Sequence, residues 1–315
     1  MIVDTHPEFG IELVLSVPYA YWLHTQNKLD KVITSKGMKP FYYFCNDVEE
    51  KYQQRTIDNA AAGLGSLPND WLHHNATAMF GKSYNDLNED EKNKANGVLD
   101  YKKWSPPPFK DYYKNDIFKF DKEIIVINNS CQPHSGTHST RYFSIECLYE
   151  IFTYLTEKGY KVIYNRPLTK SLPTQDQNEL FTPHDKENIE AVVEGIGLIN
   201  DYKLTEYFDD VILIEDLHKQ NPSLDFNKLQ CMVYANCDKF ISYIGGAGIL
   251  ASYFKGTSIM WLSQGGESRT DYFSEDSYYK KLSGCNIILE HDKQKTYPHK
   301  IENYKNFIQT IKNTF

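Results

Sequence analysis

Five short stretches hold residue types and spacings suited to chemistry. Near the start, HPEFGIEL sets His6, Glu8 and Glu12 around Gly10. A carboxylate or imidazole at such a loop-to-helix junction can take a proton from a hydroxyl nucleophile. An acid in a first helical turn can equally just complement the helix dipole. The strongest local signal is IGGAGILASYF, from Ile244. Gly245 and Gly246 close a strand and a helix begins at once, so the N–H groups of Ala247 and Gly248 lie at the positive end of a helix, which suits a phosphate. The same glycines also serve a plain tight turn. Neither the GxGxxG spacing nor a GK[ST] loop is present. A second glycine-rich loop, SQGGESRTDYF from Ser263, offers Glu267 to ribose hydroxyls and Ser268 and Arg269 to a phosphate or sugar, unless it is a solvated turn. The stretch from Asn128 to Arg141, NNSCQPHSGTHSTR, gathers Asn129, His134, His138 and Arg141. His134 and His138 stand four apart, but Pro133 and Gly136 argue against a metal-binding helix. This stretch therefore reads as a binding loop with Arg141 as an anion contact. In YNRP, Arg166 stands at a strand end, as a phosphate contact or as a salt-bridge partner.

The elements that must position these residues follow from periodicity. Six short apolar runs read as strands: Glu123–Asn129, Lys161–Asn165, Asp209–Asp216, Lys239–Gly245, Ser258–Ser263 and Asn286–Glu290. Helical patterns separate them, at 144–159, 227–236 and 247–255, with a helical turn at 277–282 and a closing helix near 300–313. Buried strands alternating with helices indicate a doubly wound α/β domain with a parallel sheet. The first 120 residues differ. Met1–His6 reads as a strand, the stretch from Gly10 as a helix kinked at Pro18, and 31–44 as one or two strands. WSPPPF, from Trp104, cannot continue a helix or a central strand and marks a linker. The expected division is 1–120, 121–300 and a closing helix at 301–315.

Composition bounds the function. The 315 residues carry 34 basic against 42 acidic side chains, for a net charge of −8. With no basic block, a nucleic-acid partner is not expected. There is neither a signal-peptide pattern nor an apolar run of the length a spanning helix needs. Six scattered cysteines without a CxxC pair suit reduced thiols and a cytoplasmic location. Only four of the basic residues are arginine: Arg55, Arg141, Arg166 and Arg269. The last three fall at or near the ends of proposed strands, where bidentate anion contacts would form.

Taken in order, EFGIELVLSVPYAYWLH, KPFYYF, WSPPPF, IIVINN, YKVIYNRP, NKLQCMVYANCDKFISYIGGAGILASYF and IMWLSQGGE resemble GT-B type glycosyltransferases of polysaccharide-assembly clusters and large algal DNA viruses. The likeness spans most of the chain and is best over 123–270. It implies two Rossmann-like domains facing a cleft. The C-terminal one would hold a nucleotide-sugar donor, and the N-terminal one a glycan or glycoconjugate acceptor. It also implies no cofactor and no metal, the helix dipole and basic side chains serving the diphosphate instead. Carried over, Gly245, Gly246 and the N–H groups of Ala247 and Gly248 would hold the diphosphate. Glu267 would hold the ribose or sugar, and Glu8 or Glu12 would be the base. Arg141, Arg166 or Arg269 would steady the leaving group. The compact N-terminal half departs from larger members. A nucleotide-sugar epimerase or a non-catalytic sugar-binding module are the alternatives.

Overall fold

Two parallel sheets of unequal size organise the described residues. The computed structural model describes residues 1–53, 63–65, 67, 68, 71, 86–91, 103–129, 142–166, 189–262, 283–291 and 301–315. The smaller sheet is N-terminal. Strands β1 (Ile2–Asp4), β2 (Lys31–Ser35) and β3 (Val48–Tyr52) pair in parallel in that order. A parallel pair needs a crossover. Here it is a helix in three parts: α1 (Phe9–Ile11), a wide π turn (Glu12–Ser16) and α2 (Val17–Thr25). Leu13, Val17, Ala20 and Leu23 recur at helical spacing and are buried, so this face packs on the sheet. The irregularity expected at Pro18 lies one turn earlier, in the wide turn. Pro18 itself opens α2, where its missing N–H is tolerated. The compact N-terminal half therefore contains a Rossmann-like sheet. Its third strand, VEEKY, escaped the sequence pattern because three of its five residues are charged, as suits an edge strand.

Trp104 and the prolines after it lead into a short helix, α3 (Phe109–Tyr113). The larger domain follows. In chain order it contains β4 (Ile124–Asn128), α4 (Ile145–Glu157), β5 (Lys161–Asn165), β6 (Glu190–Val193), β7 (Gly197–Asn200), α5 (Asp201–Thr205), β8 (Val211–Leu213), α6 (Ile214–Gln220), α7 (Phe226–Ala235), β9 (Lys239–Tyr243), α8 (Gly246–Ser252), β10 (Thr257–Leu262), β11 (Asn286–His291) and α9 (Lys305–Thr314). Six strands form one sheet in the order β11-β10-β9-β4-β5-β8, every pair parallel. Counted along the domain this is 6-5-4-1-2-3, the Rossmann order. The winding reverses between β4 and β9, and ligands of open α/β sheets bind at that reversal, beyond the carboxyl ends of the strands.

All six expected strands are present. DVILIED is the one that changes character, because only Val211–Leu213 is extended and Ile214 already starts α6. Glu215 and Asp216 fall in the first turn of that helix, where negative charge is favoured. The hairpin β6–β7 was not expected, and the helical turn expected at 277–282 lies outside the described residues. Ser144 caps α4, its Oγ accepting from Cys147 N at 3.3 Å. The closing helix begins with a 3-10 turn (Ile301–Tyr304) and packs on α4 through Lys312–Glu150 at 2.8 Å and Phe307 stacked on Phe143. Among the described residues no helix is long and apolar enough to cross a membrane. Four of the five described cysteines are buried, and burial pushes the Cys237 and Cys285 thiols up to about 12.

Candidate functional site at the switch point

Strand β9 runs buried up to Tyr243, and the chain then turns sharply into α8. Gly245 makes this turn with φ at 150°, a region that side chains with a Cβ rarely enter. Gly246 is required by space. A Cβ there would lie 2.5 Å from the Phe9 ring of the N-terminal domain. Gly248 presses α8 onto its own strand, 3.1 Å from Tyr243 O to the site of a Cβ. Gly245, Gly246 and Ala247 remain half-exposed, and Gly248 is buried.

The N-terminal domain brings its own helix N-terminus to the same place. Glu8 is half-buried and caps α1, its Oε2 accepting from Ile11 N at 3.1 Å. Gly10 lies against α8 closely enough that a Cβ would be 3.2 Å from Ile249 Cδ1 and 3.2 Å from Glu8 Oε2. Two helix N-termini, one from each domain, thus stand side by side, touching through Phe9 and Gly10, with Glu8 capping the first of them. His6 stacks on Tyr52, ring centroids 3.9 Å apart, and Tyr52 donates to Asp4 Oδ1 at 2.5 Å. Partial burial lowers the His6 pKa against the opposing pull of Asp4.

Glu12 is placed otherwise. It is fully buried in the wide turn, where its Oε1 accepts from Thr34 Oγ1 and, at 2.9 Å, from Tyr42 OH. It therefore ties the crossover helix to β2 and faces away from the solvent that an acceptor must come through. Of the two candidate bases, Glu8 alone is partly exposed.

Beneath the switch point the polar residues form a ladder. Asn128 and Asn165 end β4 and β5, and Ser242, one residue before the end of β9, is in matching register with them. Asn128 Nδ2 donates to Ser242 Oγ at 3.0 Å, and Asn165 Nδ2 donates to Asn128 Oδ1 at 3.0 Å and to Tyr234 OH at 2.7 Å. Tyr234 OH in turn donates to Asn128 Oδ1 and accepts from Gln230 at 2.9 Å. Burial pushes the Tyr234 phenol well up, so it stays a neutral donor. The sequence signal for this ladder was visible, since each otherwise apolar strand has a polar residue at or near its carboxyl end.

Asn129 and Arg166 belong to a neighbouring buried network. Asn129 accepts from Phe143 N at 2.8 Å and donates to Tyr164 OH at 2.8 Å, fixing the chain where it re-enters α4. Arg166 is 4% exposed and holds Asp201 with two hydrogen bonds, Nη2 to Oδ1 at 2.7 Å and Nε to Oδ2. Its guanidinium also lies over the Tyr202 ring. Burial disfavours its charge, but Asp201 outweighs that and keeps it protonated. Of the two roles open to Arg166, the geometry takes the salt bridge, so the expected phosphate contact is corrected. His134, His138, Arg141, Glu267 and Arg269 lie outside the described residues, as does Arg55. Among the described residues no group of three or more potential metal ligands occurs.

No family model matches the chain, and no curated protein matches it significantly. Among solved structures, the E. coli heptosyltransferase WaaC with ADP-2-deoxy-2-fluoro heptose aligns over 98% of this chain and 98% of its own, at 10% identity and a TM-score of 0.50. The crystal structure of the glycosyl transferase family 9 from Veillonella parvula DSM 2008 covers 100% of this chain and 89% of its own, at 9% identity and a TM-score of 0.46. At such identities the first of these speaks for the fold: an α/β chain of two Rossmann-like domains in the GT-B manner.

Proposed function

We propose that this chain is a glycosyltransferase that moves a sugar from a nucleotide-sugar donor to a hydroxyl of a glycan or glycoconjugate acceptor. The observation that supports this most is the meeting of Phe9 and Gly10, in the turn that Glu8 caps, with Gly246, at the switch point of a Rossmann-ordered sheet and at the boundary between two domains. The N–H groups at the start of α8 hold the donor diphosphate. The acceptor hydroxyl gives its proton to the Glu8 carboxylate while its oxygen bonds to the anomeric carbon. The bond from that carbon to the phosphate oxygen breaks, and the nucleoside diphosphate leaves with the electron pair. Charge developing on the leaving group is met by the helix N-terminus. Arg141 and Arg269 keep the anion-contact role the sequence suggests, and Glu267 that of a ribose or sugar acceptor. The reading requires no metal, so turnover is expected to survive EDTA.

A positioned base contributes roughly 10²–10⁴-fold to turnover. Glu8→Gln is expected to lower turnover by about that factor while nucleotide-sugar affinity, measured by calorimetry, is retained. A Glu8→Gln variant with full turnover refutes the base assignment. A thermal-shift panel of nucleotide sugars names the donor, since a ligand at about 100 times its dissociation constant adds about 2.7 kcal/mol. Conversion of the donor without acceptor would point to an epimerase instead.

A further inference from the structure

The wide turn at Glu12–Ser16 leaves two backbone carbonyls without their helical donors. In an α-helix the Val14 carbonyl accepts from the N–H of residue 18, and residue 18 is Pro18. Val17 N reaches back five residues to Glu12 O. The Leu13 carbonyl thereby loses its α-helical donor, and in the wide register its partner would again be Pro18. Both residues are buried, so both acceptors must be met from elsewhere. They are. Trp104 Nε1, from the linker, donates to Val14 O at 2.7 Å. Tyr253 OH, from the residue that ends α8, donates to Leu13 O at 2.9 Å. The two donors are themselves buried and meet edge to face, centroids 6.1 Å apart.

The crossover helix and α8 consequently lie side by side in the same direction. Phe9 meets Gly246, Gly10 meets Ile249, and Leu13 meets Tyr253. The extra residue in a π turn rotates whatever precedes it by about 100° relative to the helix that follows. That rotation sets the direction in which Glu8 and Phe9 face. We infer that Pro18, the wide turn and the pair Trp104–Tyr253 form an interdomain clasp that aims Glu8 at the glycine turn of the donor domain. The inference rests on Glu8 being the base. Trp104 and Tyr253 are then positioning residues, acting on turnover through Glu8 without touching substrate.

A misplacement of about 1 Å at a reacting group can cost on the order of 10²-fold in rate. Tyr253→Phe removes one hydroxyl and nothing else. It is expected to lower kcat roughly 10- to 100-fold with donor KM unchanged. In a Glu8→Gln background the same change is expected to have no further effect on kcat, because the group it aims is gone. Trp104→Phe is expected to behave alike, and where it fails to fold, Tyr253→Phe decides alone. If Tyr253→Phe keeps full kcat in a chain that Glu8→Gln impairs, the clasp is overturned and the base assignment stands. An equal fold loss in both backgrounds overturns it too. Full turnover in Glu8→Gln removes the base assignment first, and with it the premise of the clasp.

Discussion

Arg166 and His6 show how burial decides a residue's part. Arg166 is buried with Asp201, and removing one member of a buried pair leaves an uncompensated charge. Arg166→Ala is therefore expected to lose about 3–5 kcal/mol, read as a shift in the urea midpoint. A loss under about 1 kcal/mol would mean that the pair is solvated. For His6, burial lowers the folded-state pKa below the value near 6.5 of the unfolded chain. The folded state therefore binds that proton less readily. Stability falls as pH drops below about 7 and levels off beneath the folded pKa. His6→Gln should flatten this acid limb, so its urea midpoints at about pH 7 and 5.5 should differ less than those of the parent. Identical limbs in the two chains would exclude His6 as their source.

Among the elements, the turn between β9 and α8 carries the most constraint. Gly246→Ala would push a methyl into the Phe9 ring, and such overpacking typically costs about 1–3 kcal/mol. Phe9→Leu in the same chain should relieve part of it. A coupling of roughly 0.5–3 kcal/mol between the two changes is expected from denaturant unfolding. Strict additivity would mean that the domains do not touch there. Sequence alone located this turn, because two glycines between an apolar strand and a helical run leave few other readings. What it could not provide was the reason for Gly246. That reason is Phe9, some 237 positions away in the chain, and no local pattern encodes such a contact. Glu12 was ambiguous for a related cause. Helical spacing puts Glu8 and Glu12 one turn apart on one face. Glu12 N does bond to Glu8 O, but Glu8 is the extended cap outside the helix, whereas Glu12 opens the π turn and is held by Thr34 and Tyr42.

For the whole molecule, the six strands were readable because each is a short Val- and Ile-rich run, and their alternation with helices fixed the class. Their order was not, since β4 reaches β9 only past 110 intervening residues. Arg166 does stand at a strand end and does bind an anion in bidentate fashion, but the anion is the chain's own Asp201. Glutamate and glycine turn come from different domains, so occupancy of the site should report on both. Addition of the donor is expected to raise the unfolding temperature of the chain as one cooperative transition. Stabilisation of a second, separate transition alone would place the ligand in one domain.

The reversal in strand order has a further consequence. Segment 124–220 supplies β4, β5 and β8, and segment 226–291 supplies β9, β10 and β11. Between them lies a short loop with Pro222 and Ser223 exposed. A backbone cut at that loop would divide the large sheet into two halves of three strands each, whose shared seam is β4 against β9. One would keep Asn128 and Asn165, the other Ser242, Tyr234 and the glycine turn. Neither fragment holds a complete site, and mixing the two is expected to restore turnover that each lacks alone. The fold is in this sense a complementation pair written as one chain, with its own chemistry as the signal of reassembly.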